Sequence, residues 1–470
     1  MCILSLAARR KLNTKIGSSI WSVGSNFASR ALGFLFTPIF IRLLPPEEYG
    51  IYSLYVSLMG IFTVLTTFEI SGSVIYRGIA RFDGNGRAEF LSSALGAVSA
   101  LNLVSLAIYI IFRRYINAIT SLGTLLTVFL FFQVFLNAAT GIYFAEKRYS
   151  EDYKKVALIN LATGICSPLL SLIFIRLGGG GKSRIIAPLI TSAFISAPLI
   201  FSLIKKGKKL LSVEPWKFIF RLTVPMLPHY LALSLMAQSD KIIIARTLGD
   251  VELGKYSAAH SVGFLLSLLT GGILLVLSPW TVKKQKEEDA GLVSYAISSS
   301  AKLVSFATLI FLTLIPEIFG IIAEGEYFEA MRAVYPVAWS VVFLFLSVCA
   351  SNCLVYFEKP HLITKNSLIC AALCLILNTF LIDRIGYIGG AYSTMLSYVF
   401  LFFLNRKSLK KVSKNNISVS FSCHFCLIII VFALLTFLLR GSFSARIILL
   451  LAILASALPE IKSFRQERIF

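Results

Sequence analysis

Apolar runs recur from one end of this chain to the other, and no polar stretch long enough for a soluble domain lies between them. Each run has roughly 18 to 25 residues, enough at 1.5 Å rise per residue to cross a hydrocarbon core of about 30 Å. In hydrocarbon the backbone satisfies its own hydrogen bonds, so the runs read as helices. Composition agrees: 57% of residues are hydrophobic, 14% are charged, and the mean hydropathy is +0.81. The chain is predicted to be an all-α polytopic membrane protein of about 14 transmembrane helices.

Charge sets the direction of the spans. The chain carries 45 Lys plus Arg against 23 Asp plus Glu, a net +22 that in a soluble protein suggests nucleic acid. Here the charges sit in short loops, so they read as topology signals and no nucleic-acid partner is expected. With the N-terminus placed in the cytoplasm, inner segments hold 28 Lys/Arg and outer segments 12, which puts both termini inside. Arg113, Arg114, Arg176, Lys182 and Arg184 run against this bias.

The segment from Arg42 to Ser53 has a counterpart from Arg246 to Ser257, displaced by 204 residues, with Arg, Leu, Glu, Gly, Tyr and Ser matching without a gap. Both copies link the first and second spans of a half, and six spans separate them, which predicts a parallel repeat. The expected organisation is a cytoplasmic lead-in (1–15), an N-terminal six-helix bundle (16–204), a basic linker (205–217), a C-terminal six-helix bundle (218–405), a basic loop (406–422), a terminal helix pair (423–460) and a tail (461–470). Two like-oriented bundles around a central cavity favour a transporter.

Polar residues inside the spans nominate the functional side chains. Ser22, Asn26 and Arg30 recur at helical spacing on one side of the first span, and Tyr230, Ser234 and Gln238 form a matching seam on the seventh. Such seams also arise from helix packing through small polar residues. Charge raises the functional reading: Arg30, Glu69, Asp240, Lys241 and Lys302 fall well inside spans, where an unpaired ion costs about 2.5 to 3.5 kcal/mol or more. Arg30, Lys241 and Lys302 are the candidates for an anionic substrate, since Arg offers a planar fork and Lys a point charge for phosphate. Glu69 and Asp240 are the candidate ion-coupling carboxylates. Pro168, Pro198, Pro225, Pro228 and Pro316 are candidate hinges or static kinks.

Two apparent motifs fail. Gly178 to Ser183 resembles the end of a phosphate-binding loop, but Arg176 stands where that pattern needs its first Gly. Cys423 and Cys426 have CxxC spacing without a second ligand pair, so no metal is expected.

With the loop IRLLPPEEYGIYSL, its flanking span and the second copy SDKIIIARTLGDVELGKYSAAHSVGFLLSL in hand, the chain resembles the polysaccharide biosynthesis proteins of the multidrug/oligosaccharidyl-lipid/polysaccharide exporter superfamily. Within it the likeness is greatest to O-antigen repeat-unit flippases of the Wzx type. The resemblance implies a non-enzymatic flippase for undecaprenyl-pyrophosphate-linked oligosaccharide in a bacterial inner membrane, part of lipopolysaccharide or other surface-polysaccharide synthesis. It implies no cofactor, coupling to an H+ or Na+ gradient, and contact with membrane lipids, a glycan polymerase and a chain-length regulator. The alternatives are a MATE-like small-molecule exporter and a membrane enzyme of the same glycans, a polymerase or ligase.

Overall fold

The computed structural model describes residues 31–466 apart from 288, 324, 414, 415, 418 and 420–422, and the described residues contain helices and no strand. Eleven helical runs are long and apolar enough to cross a membrane, and two shorter apolar helices, Ala31–Leu43 and Phe443–Pro459, flank them. One run, Tyr153–Gly207, contains two helices. Counting that run as two helices and adding the two shorter ones gives fourteen apolar helices among the described residues.

The chain divides into two compact units, the first holding Ile51–Ser234 with the described residues up to Phe40, the second holding Ile41–Gly50 and the chain from Leu235 onward. Unit 1 is built from α1 (Ala31–Leu43) as far as Phe40, α2 (Pro46–Thr67) from Ile51 onward, the short α3 (Ile70–Ser73) and α4 (Ile75–Arg81), then α5 (Asn85–Thr120), α6 (Thr124–Tyr149), α7 (Tyr153–Phe174) and α8 (Ser183–Gly207). Its core joins Ile70, Ile75 and Ile79 to Phe90, Leu95, Ala139, Ile142 and Leu203. The first half of α9 (Val213–Leu248) completes it through Ile219, and Trp216 Nε1 donates to the Ser93 carbonyl at 2.9 Å. The units therefore part inside α9 rather than at the predicted linker, because the start of α9 packs on α5. Helices α8 and α9 also extend into the 205–217 segment, leaving only 208–212 between them.

Unit 2 contains α10 (Asp250–Gly263), α11 (Leu266–Lys286), α12 (Ala290–Thr313), α13 (Ile315–Ile322), α14 (Met331–Tyr356), α15 (Pro360–Ile385), α16 (Tyr387–Val412), α17 (Cys423–Leu438) and α18 (Phe443–Gln466). Helix α14 is its hub, packed against α10, α11, α12 and α16. The Asp289 side chain caps α12 by accepting from the Leu292 amide at 3.0 Å. The terminal pair docks on α12: Phe306 meets Phe425 edge to face, and Leu309 packs with Leu449 and Ile453. Arg446 of α18 pairs with Glu317 of α13 and reaches the Thr313 carbonyl.

Several of the expected spans are broken, and of these breaks only the one at Pro316 was nominated from the sequence. The second span divides at Phe68 and Glu69, both left-handed with φ of 50° and 52°. The eighth breaks at Phe264–Leu265, between α10 and α11. In the ninth, Pro316 starts the new helix α13, as its missing N–H favours. Pro225 and Pro228 leave α9 a single helix. Many basic residues expected in loops instead form the last turns of α8, α11 and α16, where cations complement the carbonyl end of the helix.

Candidate functional site

An acid and a base lie buried side by side in unit 2, at Asp240 and Lys241 on α9, 1% and 9% exposed. Asp240 is held from three elements. The Tyr256 hydroxyl of α10 and the Thr394 hydroxyl of α16 both donate to Oδ2, the latter at 3.3 Å, and the Lys241 amide donates to Oδ1 at 2.8 Å. Lys241 Nζ donates to Gln238 Oε1 at 3.4 Å, so the seam residue Gln238 is drawn toward the pair. Beside it, Asn378 of α15 donates to Ser239 Oγ at 3.0 Å, while its own Oδ1 is buried without a partner. Gly390 leaves room over Asp240: a Cβ there would stand 3.4 Å from the Asp240 Cβ.

The Asp240 carboxyl with the Tyr256 and Thr394 hydroxyls on it makes an all-oxygen surrounding, suited to a proton or a hard cation and unsuited to a soft metal. No group of three His, Cys, Asp or Glu among the described residues has metal-ligand geometry. Sequence reading nominated Asp240 but not Asn378 or Thr394, which are uncharged and stand among other small polar residues of their helices.

The other nominated residues stand in different surroundings. Ser22, Asn26 and Arg30 lie outside the described residues. In unit 1, Tyr230 neighbours the His229 ring at 5.7 Å and Ser234 is half-buried. Glu69 occupies the left-handed break of the second span, half-buried, with Gly72 giving its carboxylate space. Near this break runs a neutral polar seam: Asn102 donates to the Phe131 carbonyl, Gln133 to Asn137 and Ser192 at 2.9 Å each, and Thr140 bonds Ser196 at 2.7 Å.

Arg184, one of the arginines that run against the charge bias, is sandwiched between the rings of Phe40 and Tyr52, 3.8 and 4.0 Å from their centroids, and donates to the Tyr52 hydroxyl at 3.0 Å. Stacking of this kind holds a guanidinium where topology alone disfavours it.

Lys302 sits apart from the Asp240 cluster, its Nζ 5.5 Å from the Phe425 ring centroid. Phe425 lines an apolar groove between α14, α16 and α17. Two adjoining hollows of about 420 and 480 Å³ share Trp339, Phe343, Ile429 and Ile430. Arg406 lines one end with Phe425, and Tyr335, Tyr392 and Phe437 line the other. From Tyr392 to Arg406 along α16 the groove is about 20 Å long at helical rise. Its rim residues Phe403, Ile430 and Leu434 are more than half exposed, so it opens on the surface of the bundle.

Comparison with known proteins agrees with this architecture. The family model described as polysaccharide biosynthesis protein matches residues 17–285. The probable low-salt glycan biosynthesis flippase Agl15 of Haloferax volcanii is 24% identical over 390 residues, covering 81% of this chain and 80% of that protein. An uncharacterized membrane protein of Methanocaldococcus jannaschii, MJ1068, is 21% identical over 429 residues, covering 82% and 83%. Among solved structures, the inward closed conformation of the lipid II flippase MurJ aligns with a TM-score of 0.70 at 16% identity, covering 96% of this chain and all of that one. An inward-facing MATE multidrug transporter of the MOP superfamily aligns at 0.63 with 19% identity, covering 82% and 95%.

Proposed function

The chain belongs to the polysaccharide biosynthesis protein family, and from that premise we propose that it is a flippase for lipid-linked oligosaccharide. Its cargo is an undecaprenyl-pyrophosphate-linked repeat unit of O-antigen or another surface polysaccharide. Transport runs by alternating access from the cytoplasmic to the periplasmic leaflet of a bacterial inner membrane, with both termini cytoplasmic. The likeness to a glycan-biosynthesis flippase and the fold shared with a lipid II flippase support this reading.

The observation that carries it is the groove of unit 2. A water-soluble cation exported by a MATE-like protein needs no apolar channel open to lipid, whereas a polyprenyl chain does. The aromatic walls accept the tail, and Arg406, with Lys302 beside Phe425, supplies cations at the end that this orientation places by the inner leaflet. Asp240 is the coupling carboxylate in this scheme, holding a proton or Na+ against Thr394. Glu69 is the second candidate.

The test is transport of a fluorescent polyprenyl-pyrophosphate glycan in proteoliposomes holding the full chain. Translocation that falls in Trp339→Asp or in an Arg406→Ala/Lys302→Ala double variant, with protein abundance unchanged, supports the reading. Export of a small organic cation without movement of the lipid-linked glycan overturns it.

A further inference from the structure

The apolar groove of unit 2 has an arginine at each end, Arg406 at one and Arg440 beyond the other. At the Arg440 end the Tyr335 ring of α14 meets Phe437 of α17 edge to face at 5.4 Å, and the Arg440 guanidinium lies over the same Phe437 ring, 4.3 Å from its centroid. Tyr335 and Phe437 both line the hollow there. Tyr335 is 6% exposed, and its hydroxyl is buried without a hydrogen-bond partner. A buried hydroxyl with no bond is a net cost to folding, so it calls for a partner that the chain itself does not supply.

Two arginines stand near this hydroxyl, and they differ in what they hold. Arg446 is 8% exposed and fully engaged: it pairs with Glu317 and donates to the carbonyls of Thr313 and Ser442 at 3.4 Å each. Arg440, in the turn between α17 and α18, is half-buried, and its five donors make one bond among the described residues, to the Phe437 carbonyl at 3.5 Å. A cation at the C-terminal end of α17 complements the helix carbonyls without any ligand. That explains the sign of the charge but not the unbonded hydroxyl that shares the Phe437 ring with it. In the proposed orientation Arg440 also lies on the outer side, where the charge bias disfavours a cation.

An anion with several oxygens answers both groups at once, since a guanidinium fork and a phenolic O–H are both donors to phosphate. The groove that leads from here toward Arg406, about 20 Å along α16, gives that anion a hydrocarbon tail. We infer that Arg440 and Tyr335 form a second headgroup site, which receives the pyrophosphate of the lipid-linked cargo at the outer leaflet after it has left Arg406 and Lys302. The inference rests on the flippase reading and its orientation. The occupant is the cargo rather than a bilayer phospholipid because the site continues the groove that takes the cargo's tail. A groove apolar along its length and cationic at both ends accepts one lipid in either direction, head inward before crossing and head outward after it. The Tyr335 hydroxyl is covered in this arrangement of the walls and is reached as they part around a tail.

The experiment uses the full-length chain in phosphatidylcholine nanodiscs and a polyprenyl pyrophosphate with a photoreactive diazirine on the isoprene unit next to its head. After illumination the adducts are mapped by peptide mass spectrometry. Adducts are expected at both ends of the groove, around Phe437 and Arg440 and around Arg406 and Phe425. Arg440→Glu lowers the first by about tenfold or more and leaves the second unchanged. Tyr335→Phe lowers the first by about threefold while thermal stability holds or rises, because it removes only a buried group that has no bond. An outer adduct that is missing in the parent, or that either substitution leaves undiminished, overturns the inference while the inner adduct keeps the flippase reading standing. Loss of the outer adduct alone when phosphatidylglycerol is added to the disc marks a resident phospholipid and also overturns it. Absence of both adducts defeats the groove itself, and both readings with it. If Arg440→Glu fails to accumulate, Tyr335→Phe decides alone.

Discussion

Tyr52 and Tyr256 occupy the same place in the two repeats, 204 residues apart, yet they serve opposite charges. In unit 1 the Tyr52 hydroxyl accepts from Arg184, and the ring stacks on the same guanidinium. In unit 2 the Tyr256 hydroxyl donates to the buried carboxylate of Asp240. A phenol can do both, since its oxygen is donor and acceptor. The duplicated segment therefore kept a versatile group while the helices around it diverged. The surroundings diverged in kind as well: near the second-span break unit 1 has a neutral seam of amides and hydroxyls, whereas unit 2 buries a charge. Buried charge is costly to keep and costlier to orphan, so function is expected to concentrate at Asp240.

The largest effect that tests this contrast is expected from Asp240→Ala. It strips Tyr256 and Thr394 of their acceptor and leaves Lys241 buried beside no anion, at a cost of about 3 to 5 kcal/mol. Thermal unfolding of the purified protein would show the loss, and transport would fall with it. Wild-type stability in this variant would remove the basis for the contrast. Next comes the tyrosine pair itself. Tyr256→Phe deletes a bond to a charged group and is expected to cost about 2 kcal/mol. Tyr52→Phe keeps its ring on Arg184 and is expected to cost about 1 kcal/mol or less. Equal losses would show that the two sites are energetically alike.

Glu69→Gly is expected to stabilise the fold by roughly 1 kcal/mol, because glycine adopts the left-handed conformation without a Cβ penalty. If Glu69 also takes part in coupling, the same variant transports less, and a stability gain with full transport confines the residue to structure. The smallest effect concerns pH. Burial, and then the charge of Glu47, hold the Asp250 carboxyl above its ordinary range, so the packed corner favours the protonated acid. The penalty is absent below the ordinary aspartate pKa of about 3.9 and grows as pH rises through the elevated value. Thermal unfolding of the purified protein should therefore move to slightly higher temperature on acidification toward the ordinary aspartate range, and Asp250→Asn should abolish that contribution.

The spans, the family and the repeat were legible because hydrophobic length, loop composition and a twelve-residue identity pattern are all local in the chain. The structure adds to the repeat an exchange of contacts that no alignment of the two copies displays. The Asp240 donor set was not legible in full: Thr394 is 154 residues away and carries no motif, and its meaning comes from packing of α16 on α9's neighbours. Nor was the break at Phe68–Glu69, which contains neither proline nor glycine. Lys302 shows a different limit. Its depth in a span was legible, but depth does not say which way a side chain faces, and it stands beside Phe425 at the groove.

The crossing of α2 and α10, where Gly50 admits the Asp250 carbonyl and Gly254 the Pro46 carbonyl, also bears on ancestry. A contact in which position a meets position b while b meets a is the kind by which two identical chains pair about a twofold axis. A half-length progenitor bearing one copy of this corner would already possess the surface needed to dimerise head to head. Fusion of two such genes would then preserve the contact unchanged, and would free each copy of the remaining helices to acquire its own chemistry.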